Sequence, residues 1–291
     1  MTEVDGSLTV RELLGRTREF FESKGIGEGA RLDAELLLAA ALGIGRLELY
    51  TDHDRLVGGA ELDRYRDMVR RRSAREPAAY ILGSTGFCSL EMAVDARALI
   101  PRRETELLAE MAWTAALERG AGARVLELGT GCGAIACAVA HYAPEARVVA
   151  TDVSEEALAL AGQNAEALGV ADRVALAEGD LYGALGDEKD GFDVIVSNPP
   201  YVTERDWPGL APEIREFEPR GALVAGADGL DVIRGLAGGA PGRLAAGGVL
   251  MMEVGAGQSD AAKSICAEAG LGNVDVAKDY GGVERIVVAR A

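Results

Sequence analysis

Four consecutive residues, Asn198, Pro199, Pro200 and Tyr201, bring together groups that can hold a planar nitrogen. The Asn198 side chain and the Pro199 carbonyl can each accept a hydrogen bond, one from each N–H of an –NH2, and Tyr201 offers a flat wall. An amide or ring amine attacks weakly because its lone pair is delocalised, so a catalyst gains by aligning it with an electrophile. Two prolines in a row cannot continue a central strand, because neither donates to the ladder, so the motif marks a rigid turn. Attack of this kind needs no general base of perturbed pKa, and the chain has only two histidines, His53 and His141. Asn198, Pro199 and Tyr201 are the candidate catalytic residues, and all four motif residues are candidates for binding the acceptor.

A second cluster lies upstream. Val125-Leu126-Glu127-Leu128 reads as a buried strand running into Gly129, Thr130, Gly131, Cys132 and Gly133, with a helix from about Ala134. Glycines there let the backbone turn sharply and approach a ligand at a helix N-terminus. The spacing is G-x-G-x-G rather than the G-x-G-x-x-G of dinucleotide binders, and suits a cradle for the amino-acid end of S-adenosylmethionine. Asp152 follows the next strand at roughly the 20-residue offset where a carboxylate reaches two ribose hydroxyls. A third strand ending near Glu178 and Gly179 puts Asp180 and Leu181 in place for the adenine edge and face.

These residues require a parallel sheet with crossover helices, and beyond Ala123 short apolar runs alternate with amphipathic ones accordingly. Expected strands are Arg124–Leu128, Arg147–Thr151, Val174–Ala177, Asp193–Ser197, Val249–Val254 and Arg285–Ala289. Expected helices are Ala134–His141, Glu155–Leu168, Gly229–Leu244 and Ser259–Ala269. The acceptor motif then falls at the carboxyl end of the fourth strand, where open α/β sheets bind ligands. From Leu8 to about Arg75 the periodicity is helical instead, through Leu13, Leu14, Phe20, Phe21 and the run Leu32, Ala34, Leu36, Leu37, Leu38, Ala41 and Leu42. Gly25, Gly27 and Gly29 separate the first two helices, and Gly43 and Gly45 end the second. Arg64, Arg66, Arg70, Arg71, Arg72 and Arg75 form a basic helical face, read either as a solvated surface or as a docking surface for an acidic partner or RNA. Residues 1–77 are expected to form the bundle, 78–103 a linker hairpin, and 104–291 the domain carrying the chemistry.

With 291 residues, 48% of them hydrophobic, the chain can bury a full core. A net charge of −17 argues against direct DNA binding, which requires Lys and Arg to displace counterions. No run reaches the roughly 18 residues of a membrane span, and Thr2–Gly6 lack the basic-then-apolar layout of a signal peptide. A cytoplasmic monomer is the expected form. Cys88, Cys132, Cys137 and Cys266 show no C-x-x-C pair, so neither a metal site nor a disulfide is expected.

The chain resembles the HemK/PrmC methyltransferases, which methylate the glutamine of the Gly-Gly-Gln loop in peptide-chain release factors. The resemblance runs through Arg31-Leu32-Asp33-Ala34-Glu35-Leu36-Leu37, Glu76-Pro77, Tyr80-Ile81-Leu82-Gly83 and Ile100-Pro101-Arg102-Arg103-Glu104-Thr105-Glu106. It continues through Gly129–Gly133, Ser197–Tyr201, Asp279-Tyr280-Gly281 and Glu284-Arg285. It implies a class I S-adenosylmethionine-dependent methyltransferase fold, Rossmann-like with a mostly parallel sheet, carrying a small N-terminal helical bundle. It also implies S-adenosyl-L-methionine as methyl donor, S-adenosyl-L-homocysteine as product and a release factor as protein substrate. Carried over by position, Gly129, Thr130, Gly131, Cys132, Gly133, Asp152, Asp180, Leu181 and Asn198 would bind the donor, and Asn198, Pro199, Pro200 and Tyr201 the glutamine amide. Two positions depart from the family: Arg103-Glu104 where Pro-Asp is common, and Leu181 where an aromatic residue often faces adenine. Nucleotide amine methyltransferases also carry Asn-Pro-Pro-Tyr, so that motif alone leaves a nucleic-acid base open as acceptor. Another protein amide, or a silent cofactor-binding scaffold, are the further alternatives.

Overall fold

The computed structural model describes residues 8–27, 29–186 and 191–291. The signal-peptide reading of Thr2–Gly6 lies outside them. The chain divides into two compact units, one drawn from Met1–Gly83 with Pro212–Phe217, the other from Ser84–Ala211 with Glu218–Ala291.

In the first unit, helices Val10–Ser23, Ala30–Leu42, Glu48–Thr51, Gly59–Ser73 and Ala78–Leu82 follow one another, with a short antiparallel bridge between Leu8–Thr9 and Leu56–Val57. The first helix starts on a capping box: Thr9 Oγ1 accepts from the Glu12 amide, and the Glu12 carboxylate accepts from the Thr9 amide. The second ends at Gly43, whose φ of 65° closes it in the left-handed region. Phe21, Leu37, Leu38, Ala41 and Tyr65 form the core, while Phe20 and Leu32, one step round their helices, face outward. The segment from Ala78 was expected to be β-like. Its first five residues are helical instead, because Pro77 opens a helix in which Tyr80 and Ile81 are buried.

The basic helical face is largely engaged within this unit. Arg64 caps the second helix by donating to the Ala41 carbonyl at 2.8 Å. Arg72 is buried and donates to Asp33 Oδ2 at 2.7 Å and to Glu213 Oε1 at 3.0 Å, and Arg75 donates to Glu213 Oε2 at 2.7 Å. Arg71 pairs with Glu76, Arg70 with Asp67 and Arg66 with Asp63.

The second unit opens with an antiparallel hairpin of Ser84–Phe87 and Leu90–Ala93, then helix α1 (Thr105–Arg119). Strands β1 (Arg124–Leu128), β2 (Arg147–Asp152), β3 (Val174–Glu178) and β4 (Phe192–Ser197) follow, with helices α2 (Ala134–Tyr142) and α3 (Glu155–Ala167) after β1 and β2. Helix α4 (Asp231–Gly239), β5 (Leu244–Glu253), α5 (Ser259–Glu268), β6 (Gly272–Lys278) and β7 (Glu284–Arg290) complete it. The seven strands lie in the order 3-2-1-4-5-7-6. Strand β7 runs antiparallel to both its neighbours, and the pairings from β3 through β5 are parallel. Alternation along β1 sends Leu126 and Leu128 into the core shared with Ile233, Leu236 and Ala262 of α4 and α5.

Three expectations need correction here. Strand β6 was missed because it is an exposed edge carrying Asn273, Asp275 and Lys278, whose alternation rests on Val274 and Val276 alone. The helix expected over Gly229–Leu244 is shorter: Gly229 (φ 73°) precedes it in the left-handed region, and a 3-10 turn containing Pro241 ends it. Strand β5 accordingly begins at Leu244, where that residue pairs with Phe192.

Candidate active site

At the carboxyl end of β1 the glycine loop is built on backbone that other residues adopt only under strain. Gly129, Gly131 and Gly133 have φ of 73°, 56° and 81°. A Cβ on Gly133 would stand 2.9 Å from that of Ala161 on α3, so this glycine also allows the close approach of helix and loop. The loop is tied to β2 by Gly129 and Thr130 amides, both donating to the Thr151 carbonyl.

Asp152 stands at the end of β2. Its Oδ2 accepts from the Gly131 amide at 2.8 Å and its Oδ1 from the Ser154 amide at 3.0 Å. Each oxygen retains capacity for one further donor, which is the requirement for gripping a pair of vicinal hydroxyls. Beneath the loop lies Glu127, 1% exposed, whose Oε2 accepts from Thr130 Oγ1 at 2.7 Å and from the Ala136 amide at 2.9 Å. Burial pushes its carboxyl up to about 8, against the opposing pull of those two bonds. Asn164 of α3 ties the loop to the hairpin: its amide donates to the Cys132 and Ala93 carbonyls and its oxygen accepts from the Ala93 amide. Cys132 is buried, and burial raises its thiol to about 12, so it acts as a packing residue and not as a nucleophile.

Asp180 is exposed beyond β3, and Leu181 follows it with φ of 48°. The Leu181 side chain packs on the core at Gly235 of α4, where a Cβ would stand only 2.5 Å from its Cδ1. The apolar surface displayed beside Asp152 belongs instead to Val153, 65% exposed.

The acceptor motif follows β4. Ser197 Oγ donates to the Leu128 carbonyl at 2.7 Å, locking the end of β4 against the end of β1. Asn198 Nδ2 donates to Thr105 Oγ1 at 3.0 Å, and Thr105 Oγ1 donates to Glu253 Oε2 at 2.7 Å. The Asn198 amide is thereby held with Oδ1 left to accept. Pro199 is buried and Pro200 half-buried. The Tyr201 hydroxyl points at Glu253 Oε1 across 3.5 Å, its amide donates to the Leu223 carbonyl, and its own carbonyl accepts from Gln258 Nε2 at 3.1 Å. Gly229 is required here, since a Cβ would meet the Tyr201 carbonyl oxygen at 2.2 Å. Burial raises the Tyr201 phenol, so it remains protonated. Nearby, the buried Glu218 accepts from Arg102 at 2.6 Å and from the Ile100 amide, which fixes the segment leading to Thr105.

The structure thus brings the glycine loop, Asp152, Asn198 and Tyr201 to the carboxyl ends of the adjacent strands β2, β1 and β4. Sequence reasoning missed Glu127, Asn164, Glu253 and Val153. The signal for two of these was present, since Glu127 and Glu253 each interrupt an apolar strand that must be buried.

The model for the PrmC N-terminal domain matches residues 12–83, and that for the methyltransferase small domain matches residues 104–213. A release factor glutamine methyltransferase from Geobacter sulfurreducens is 44% identical over 290 residues, covering 100% of this chain and 99% of that protein. Another from Rhodopirellula baltica is 40% identical over 290 residues, covering 98% and 97%. Among solved structures, the T. thermophilus 16S rRNA methyltransferase RsmC in complex with AdoMet and guanosine matches with a TM-score of 0.51 at 20% identity, over 71% of this chain and 49% of that one. That likeness is one of fold.

Proposed function

The chain belongs to the release factor glutamine methyltransferase family, and from that premise we propose that it moves a methyl group from S-adenosylmethionine to the side-chain amide nitrogen of the Gly-Gly-Gln glutamine in a peptide-chain release factor. The observation that carries this reading is the Asn198 amide, held by Thr105 so that its oxygen is available to a donor. An incoming glutamine –NH2 donates one proton to Asn198 Oδ1 and the other to the Pro199 carbonyl, and its plane lies against Tyr201. Both N–H bonds are then committed, and the lone pair is directed along the one remaining approach. Positioning supplies the catalysis: no side chain need remove a proton before attack, the methyl leaves sulfur as its bond to nitrogen forms, and the nitrogen then sheds one proton to water.

S-adenosylmethionine supplies an electrophilic methyl on a sulfonium centre. The residues present fit that molecule: the left-handed glycines of the loop from Gly129 through Thr130, Gly131 and Cys132 to Gly133 would allow close approach of its amino-acid end. Asp152 has acceptor capacity for both ribose hydroxyls. Val153 would give an apolar surface for adenine, and Asp180 and the Leu181 backbone would hold its edge. The helical unit serves as the docking part for the release factor.

Incubation with labelled S-adenosylmethionine and a release factor tests the reading. Label is expected at the Gly-Gly-Gln glutamine, with loss of at least about 100-fold in kcat for Asn198→Ala, the scale of removing one preorganised hydrogen-bonding group. Equal labelling of a Gln→Ala acceptor, or methyl incorporation into nucleic acid and not into protein, would overturn it.

A further inference from the structure

We infer that Glu253 and Thr105 are positioning residues for this methyl transfer, acting by deciding which way round the Asn198 amide faces. The inference rests on the functional reading above and deepens it. An asparagine amide can turn over about its terminal bond with almost no change of shape, since its oxygen and its –NH2 are nearly the same size. Chemically the two orientations are opposites. With Oδ1 toward the substrate the group accepts from a glutamine –NH2; with Nδ2 there it sets donor against donor.

The polarity of the chain of bonds selects the first orientation. Glu253 sits at the carboxyl end of β5 and is 2% exposed. An ionised carboxylate only accepts, so the single hydroxyl proton of Thr105 is committed to Oε2 at 2.7 Å. The Thr105 oxygen is left with lone pairs alone, and it accepts from Asn198 Nδ2 at 3.0 Å. Oδ1 is thereby turned to the acceptor. The same carboxylate faces the Tyr201 hydroxyl through its other oxygen, so one buried group reaches both ends of the acceptor motif. Thr105 opens α1 and Glu253 closes β5, so they are 148 residues apart and meet only in the folded sheet.

Protonation of Glu253 removes this selection. A neutral carboxyl can donate to Thr105, which frees the hydroxyl proton to point at Asn198 and favours the reversed amide. The groups that bear on its ionisation are Thr105 and Glu104 at the start of α1, Arg285 on β7 and Tyr201 of the motif. Burial, the largest influence, raises its pKa, and Glu104 adds to the rise; Thr105, Arg285 and Tyr201 oppose it.

The test uses the full chain with S-adenosylmethionine and a release factor. Thr105→Val keeps the shape and deletes both bonds; kcat is expected to fall about 10- to 100-fold while KM and the Kd for S-adenosylmethionine stay within about threefold. Thr105→Ser restores the hydroxyl and is expected to recover most of the lost kcat. Glu253→Gln still presents an oxygen to Thr105 but cannot ionise, so the decline of wild-type kcat on the acid side should be absent from its pH profile. The Asn198 side-chain amide protons give a readout that needs no acceptor: by NMR, one should exchange slowly in the wild type and both rapidly in Thr105→Val. Equal exchange in the two proteins overturns the proposal, as does a Thr105→Val kcat within about threefold of wild type or an acid limb retained in Glu253→Gln. Failure of the wild type to label any release factor would instead overturn the functional reading, with the exchange measurement still deciding the orientation of Asn198.

Discussion

In the helical unit Arg72 stands between Asp33 and Glu213, and Arg31 and the Tyr50 hydroxyl close on Glu35. In the sheet unit Glu127 and Glu253 are equally buried, but hydroxyl and backbone donors meet them there in place of a guanidinium. The consequence is opposite in sign. Burial pushes Glu35 and Glu213 up, yet their hydrogen bonds and arginine neighbours outweigh it and hold both below the usual carboxylate range. Burial dominates at Glu127 and Glu253 and raises both. Paired charge holds elements together, whereas an ionised carboxylate met by hydroxyl donors, as at Glu253, fixes the direction of the hydrogen bonds around it. The first arrangement suits a scaffold and the second suits a site.

The largest effect that could break this contrast is at Arg72. Arg72→Met leaves Asp33 and Glu213 without their shared cation and should destabilise the protein by about 3–5 kcal/mol, read by urea denaturation, with the affinity for S-adenosylmethionine unchanged in the folded protein. A loss under about 1 kcal/mol would mean that the helical unit does not depend on its buried pair. Next comes Gly133→Ala, which combines left-handed backbone with a Cβ against Ala161; a cost of about 2–4 kcal/mol is expected, together with weaker S-adenosylmethionine binding. Retained affinity would remove the loop from the donor site. Asp152→Asn should weaken S-adenosylmethionine by about tenfold in calorimetry and barely change stability, since one charged acceptor is lost at an open position.

The smallest effect sharpens the contrast through pH. Glu127 has its carboxyl raised from 4.5 to about 8, so its contribution is complete below pH 4.5 and is lost as pH rises through 8. Glu127→Gln should therefore raise Tm at pH 9 relative to wild type, by about 2–4 °C if the difference is near 1 kcal/mol, and leave it unchanged at pH 4. Glu35 and Glu213 behave in the reverse sense: their contribution is present above about pH 4.5 and is lost as pH falls through their lowered folded values. A Tm for Glu127→Gln that tracked wild type at every pH would show that the buried carboxyl is not carrying a proton.

Much of the sheet unit was legible because its central strands β1, β4, β5 and β7 are largely buried and stand out as apolar runs, and because glycine and proline can be placed by backbone geometry alone. The edge strand Gly272–Lys278 was not, since half of it faces outward and carries polar residues. The basic helical face was legible in part: Arg66 and Arg70 are exposed as a solvated face, while Arg72 is buried. Arginine spacing along one helix shows charge, but Asp33 and Glu213, the carboxylates that neutralise Arg72, lie 39 and 141 residues away.

By itself the sequence determined the chemistry that is local. The loop of Gly129–Gly133, the acid at Asp152 and the turn of Asn198–Tyr201 are each set within a few residues, and their order along the chain matches one kind of sheet. The tertiary structure alone decided how the site is held. That Leu181 turns into the core while Val153 is displayed, and that Thr105 and Glu253 close on Asn198, depends on which strand and helix ends meet. A hydrogen bond has a direction that no single segment carries, so the orientation of the Asn198 amide exists only once β4, β5 and α1 are assembled.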